Sequence, residues 1–179
     1  MNVTRAIAMV TPLAVTLSIA GCSTSRPAAS PVARSQPPVV RSIAVSAAQY
    51  VAAAASASLF AIRASDLIVA REGDTGLGQL ARRLKTEHGG IGSQLSFAGR
   101  RLDLLPSATL LPRHQAMLDD ITGSAEPRAA YVRHLKTVLP QALALHRNYE
   151  RYGTSATLRP VSAVAAPLIA QEVDAIRRF

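Results

Sequence analysis

From Ile43 onward, apolar residues return every three or four positions, the period of a helix with one buried face. Between about Ile43 and Arg71 the stripe runs Val51, Ala55, Leu59, Ile62, Asp66 and Val69, which places one carboxylate among apolar neighbours. Gly73-Asp74-Thr75-Gly76 then breaks the helix, with Asp74 or Thr75 suited to cap the next one. The second stripe is the most regular in the chain: Leu77, Leu80, Leu84, His88, Ile91, Leu95, Ala98 and Leu102, with His88 its single polar member. Pro106 and Pro112 bracket a loop, and a short connector helix is expected over about Arg113 to Ile121, ending at Gly123. Pro127 suits a first helical turn and opens a third long stripe of Tyr131, Leu135, Val138, Ala142, Leu145, Tyr149 and Tyr152, with a kink expected at Pro140. After Gly153 the last helix carries Leu158, Val161, Ala165, Leu168, Glu172, Ile176 and Phe179 on one face, again with one carboxylate on the stripe. Four long amphipathic helices and a connector predict an all-α domain over residues 43–179, with a four-helix bundle as its architecture.

The pattern upstream is different. Arg5 is the one charge before Cys22, and the apolar run from Ala6 to Ala20 is too short and interrupted to span a bilayer comfortably. It closes on Ile19-Ala20-Gly21-Cys22, which resembles the lipobox of bacterial lipoproteins: small residues fit a peptidase pocket and the thiol takes the lipid. Residues 1–21 are therefore expected to be a cleaved signal and Cys22 the lipidated first residue of an exported protein held on a membrane. Ser23 follows the cysteine, where an Asp would point to inner-membrane retention, so delivery to the outer membrane, facing the periplasm, is expected. Residues 22–42 show no helical period and carry Pro27, Pro31, Pro37 and Pro38 among Ser, Ala and Arg. They read as a tether, with a reach of about 3.1 Å per residue if polyproline-like.

Composition sharpens this picture. With a single cysteine, given to lipid, no disulfide can form within the chain, so the fold must rest on its core. Aromatic residues make up only 4% and Trp is absent, which suits close-packed Ala- and Leu-rich helices better than sheets. The formal net charge is +9, almost all of it arginine. Export argues against nucleic acid, and clusters such as Arg82-Arg83-x-Lys85 and Arg100-Arg101 lack interleaved aromatics for base stacking. Solvated helix faces near a lipid surface, with weak electrostatic contact to it, are the expected use of that charge.

Familiar catalytic arrangements are missing: there is no Gly-x-Ser-x-Gly elbow, no His-Glu-x-x-His and no phosphate loop, so nothing supports an enzyme. The chemistry-bearing feature is that Asp66, His88 and Glu172 would point inward from three different helices, where burial without partners costs on the order of several kcal/mol each. Two arrangements resolve that conflict. Iron, manganese or zinc is held by inward carboxylates and imidazoles in ferritin-like bundles, and Glu87 could join such a set or orient His88. Alternatively the stripes are imprecise by one residue, the carboxylates sit at the bundle margin, and His88 is a hydrogen-bonded core histidine. His114 falls in the connector, and His134 and His146 flank the third stripe; all three are expected at the surface.

One run of residues goes further: Tyr50-Val-Ala-Ala-Ala, Leu59-Phe60-x-Ile62-Arg63-x-Ser65-Asp66-Leu67, Leu80-Ala81-x-Arg83, Glu87-His88, Pro112-Arg113-His114, Ala130-Tyr131-Val132 and Ala166-Pro167-Leu168. Together they resemble the bacterial domain-of-unknown-function family four-one-four-two, over about Ile43 to Phe179. The resemblance implies an exported, ferritin-like helical bundle, often labelled as an outer-membrane protein, without a settled activity. It also implies an acidic residue at Asp66, an Asp-His pair at Glu87-His88 and further histidines in the last two long helices. Here those last positions read as Leu139 and Glu172, of which Leu139 cannot bind a metal. The expected function is a non-catalytic, lipid-anchored periplasmic bundle with a structural, stress or interaction role, its partners being the membrane and another envelope protein. The alternative is a ferritin-like metal-binding protein using Asp66, Glu87, His88 and Glu172.

Overall fold

A computed structural model describes residues 44–179. The signal, Cys22 and the tether expected over residues 1–42 lie outside the described residues. Within them the chain forms five helices and no strand: α1 (Ala47–Glu72), α2 (Gly76–Arg100), α3 (Pro112–Gly123), α4 (Pro127–Tyr152) and α5 (Arg159–Ile176).

Local chemistry sets the boundaries. Ser46 caps α1 in a reciprocal box: its hydroxyl accepts the Gln49 N–H at 3.2 Å, and the Gln49 side chain accepts the Ser46 N–H at 3.1 Å. Such a cap stabilises by about 1 kcal/mol, which is why the helix starts here and not at Ile43. At the other end Gly73 takes a left-handed φ of 54°, a conformation that side chains disfavour. Thr75 then caps α2 through the Gly78 N–H at 3.1 Å. In the last turn of α2, Gly99 leaves room for the chain to fold back, its carbonyl accepting the Leu104 N–H at 3.0 Å where a Cβ would collide with the Leu104 carbonyl. Pro112 and Pro127 open α3 and α4 in the first turn, where the missing N–H costs nothing.

α1 is the central element, packing on α2, α3 and α4, while α5 packs on α4 and α2. It is also the one described helix long and apolar enough to cross a bilayer, yet most of its apolar window is buried inside the fold. Val51 and Ala55 are buried as expected, but past them the buried face is one residue out of register with the stripe read from the sequence. Tyr50, Ala54, Ala57, Ala61, Ala64 and Ile68 are buried, whereas Leu59, Ile62 and Val69 are partly open. The stripe of α2 is buried as expected from Leu77 through Ala98. In α4 and α5 the expected Tyr152 and Phe179 are instead exposed, at 54% and 43%, because each lies at or past its helix end.

Contacts fix the direction of each helix. Tyr50 stacks on Tyr149, and Glu72 pairs with Arg128, so α4 runs antiparallel to α1. The hairpins α1–α2 and α4–α5 are closed by short turns. One end of the domain therefore holds the start of α1, the close of α2, the close of α4 and the start of α5. We refer to it as the entry end, and to the opposite one as the far end.

Candidate functional site

An Ala-rich α1 brings small side chains to its buried face, and among them four hydroxyls: Tyr50, Ser56, Ser58 and Ser65. Each meets a polar side chain from another helix. Ser58 Oγ lies 3.1 Å from His88 Nδ1 of α2, Ser56 Oγ 2.7 Å from His114 Nδ1 of α3, and Tyr50 Oη 3.0 Å from His146 Nδ1 of α4. Ser65 Oγ lies 2.9 Å from Tyr131 Oη of α4. The three histidines are each 1% exposed, so these partners replace lost water. Ser56 also accepts the Leu111 N–H at 2.8 Å, tying the entry to α3 against α1.

Around His88 the network extends. Its Nε2 lies 3.1 Å from Oε2 of Glu172, which is 0% exposed in α5. Glu87, one residue earlier on α2, reaches the same place: its Oε1 accepts from Arg83 Nε at 3.1 Å, and its carboxyl group meets that of Glu172. Oε2 of Glu87 and Oε1 of Glu172 are buried with no donor. Two carboxylate oxygens are both acceptors, so their contact becomes a hydrogen bond only when one carries a proton. Burial, and then Glu172 itself, raise the Glu87 pKa and favour that protonated form.

The other groups are held in one state. Burial, then the charge of Arg113, push the His114 imidazole down to about 4, and burial, then His88, push His146 down to about 4. Burial lifts Tyr50 and Tyr131 above the usual phenol range. Both histidines are therefore neutral, and both tyrosines protonated, at neutral pH.

Of the residues singled out as ligands, the structure brings together Glu87, His88 and Glu172. Asp66 does not join them and corrects the expectation. It lies on the outer face of α1, 48% exposed, in an ion pair with Lys85 at 2.6 Å. The one-residue shift in the α1 stripe turns it outward by about 100°. Leu139 is buried and apolar, and the buried histidine of α4 is His146, two turns further on. His114 and His146 were expected at the surface and are core residues. A signal for His146 was present in the spacing Leu135, Leu139, Ala142, His146, Tyr149, and one for His114 in its seven-residue distance from Ile121. His134 stands where expected, partly open, with its Nε2 2.7 Å from Asp120.

These residues do not make a ferritin-like two-metal cage. Asp66 is outside, α4 supplies Leu139, and among the described residues no three His, Cys, Asp or Glu side chains are grouped to hold a metal ion. A groove of about 530 Å³ between α1 and α2 reaches Ser58 and His88, but Arg100 is the one other titratable group on its walls. Glu172 meets His88 but does not line this groove.

A family model described as Domain of unknown function (DUF4142) matches residues 30–178. No curated protein and no solved structure gives a significant match.

Proposed function

Because the chain belongs to the DUF4142 family, we propose that it is a non-catalytic, lipid-anchored periplasmic helical bundle that serves as a structural or interaction module of the bacterial envelope. The observation that carries this reading is the closure of the interior. Each of the three buried imidazoles has its Nδ1 within hydrogen-bond distance of a hydroxyl of α1. Polar contacts of this kind fix which helix meets which and in what register, in the way that a single buried polar residue sets register in coiled coils. The packing of α1 on α2 and α4, and of α5 on α4 and α2, supports a ferritin-like arrangement with α3 in the crossover. The lipobox-like Ile19-Ala20-Gly21-Cys22 supports the anchor, and lipid would hold it durably, since each buried methylene contributes about 0.8 kcal/mol.

Metabolic labelling with palmitate and fractionation of the expressing bacterium test this reading. Label in the outer-membrane fraction, lost together with membrane association in Cys22→Ala, is the expected result. An unlabelled native chain recovered from the soluble periplasm would overturn the anchor.

A second reading is a single metal ion that would draw Glu87, His88 and Glu172 together on binding, since they are not grouped as a metal site without it; the two donorless carboxyl oxygens favour it. Iron, manganese or zinc would then raise the Tm of the parent chain and leave Glu87→Gln unchanged.

A further inference from the structure

We propose that the entry end of the bundle is a docking face for an anionic phospholipid bilayer. Among the described residues, five large apolar side chains are markedly exposed, and four of them, Phe97, Leu105, Tyr152 and Val164, belong to the helix termini and loop toward this end. Phe97 and Val164 flank a cavity of about 440 Å³ between α2 and α5, floored by Ala98 and Val161 and edged by Arg101. Its walls are mainly apolar and open to solvent, so an aromatic ring or acyl chain there would leave water.

The charge around these side chains is cationic. Arg100 and Arg101 close α2 and stand over the Phe97 ring, 6.0 and 5.1 Å from its centroid. Arg147 and Arg151 close α4, and Arg159 opens α5; all five arginines are exposed. None takes part in an ion pair among the described residues, although Asp103 and Glu150 share this end. Exposed apolar side chains set among arginines match a phospholipid surface, where the headgroup phosphates meet the guanidinium groups and the ring enters the interfacial region. This is also the end at which the chain arrives, since α1 begins here and 23 residues lie between Cys22 and Ser46. The inference rests on the lipid-anchor reading in one respect: the anchor would keep a bilayer within reach of this face.

The test uses the unlipidated Cys22→Ser chain, so that binding is read independently of the anchor. The chain contains no Trp, so Phe97→Trp and Phe179→Trp give single fluorescent reporters at the two ends. With vesicles of equal parts phosphatidylglycerol and phosphatidylcholine, the Phe97→Trp emission should shift to the blue and the Phe179→Trp emission should not. Pure phosphatidylcholine should shift neither. Arg100→Glu with Arg101→Glu should weaken binding at least tenfold, since each arginine near an anionic surface contributes about fivefold. The proposal is overturned by an absent shift at the entry end, by equal shifts at both ends, or by equal binding to neutral vesicles. A shift without lipid that grows with protein concentration would mark a self-association face instead and overturn it as well. Palmitate labelling of the native chain reports on Cys22 alone, so the two readings can fail separately.

Discussion

The two ends of this domain treat their charges in opposite ways. Among the described residues, every Lys or Arg ion pair falls in the far half: Arg82 with Asp74, Arg83 with Glu87, Lys85 with Asp66, Arg128 with Glu72, Arg133 with Asp120 and Arg177 with Asp174. The buried His88–Glu172 contact lies in the interior above the entry end, satisfied by side chains of the same chain. At the entry end the arginines stand without carboxylate partners among exposed apolar groups. Exposed pairs contribute only about 0–1 kcal/mol each, so the difference says little about stability. It says where the surface is complete by itself and where it awaits something else.

The largest loss of stability is expected in the interior. His88→Ala removes a partner from both Ser58 and Glu172 and should cost about 3–5 kcal/mol, read as a lower urea midpoint. Arg101→Ala at the entry end should stay within about 0.5 kcal/mol. Equal losses would remove the distinction.

Acid probes the same interior more gently. His114 and His146 titrate near 4 in the fold, against about 6.5 in an unfolded chain. Above 6.5 neither state binds these protons and the stability is fully present. As pH falls from 6.5 to 4 the unfolded state takes up protons that the native state refuses, so stability is lost by up to about 3 kcal/mol per histidine. Thermal melts across that window should show the decline, and His146→Gln should flatten part of it.

Glu87 sharpens the chemistry of the carboxyl pair. In Glu87→Gln an amide N–H can donate to Glu172, so the melting transition should move by no more than about 1 kcal/mol equivalent. Glu87→Ala leaves the Glu172 oxygen without any donor and should lose about 1–3 kcal/mol. The smallest effects belong to the surface: Arg128→Ala should cost about 0.5 kcal/mol by releasing Glu72, while Arg151→Ala should cost nothing measurable in the same denaturation assay.

Much of this was legible in the sequence. The Leu-rich stripe of α2 has sharp contrast between its faces, so His88 and the helix around it were placed correctly. In α1 the contrast is weak, since Ala and Ser occupy both faces of the helix. A stripe drawn through Leu59 and Ile62 looked as good as the true one through Phe60 and Ala64. That one-residue error put Asp66 inside and hid Tyr50, Ser56 and Ser58, whose hydroxyls organise the interior. Glu172 was placed on its buried face, but its meeting with Glu87 depends on how α5 docks against α2. No local pattern encodes a contact between side chains so far apart along the chain.

The interior closes through hydrogen bonds among its own side chains, and a protonated Glu87 is favoured where it meets Glu172. Elemental analysis of the full-length chain, purified without a histidine tag after exposure to iron, manganese and zinc, shows whether a metal also enters it. The expected result is no metal above trace level, the same in the parent and in Glu87→Gln. Near-stoichiometric metal in the parent that disappears in Glu87→Gln would contradict it and make the Glu87, His88 and Glu172 cluster a metal centre.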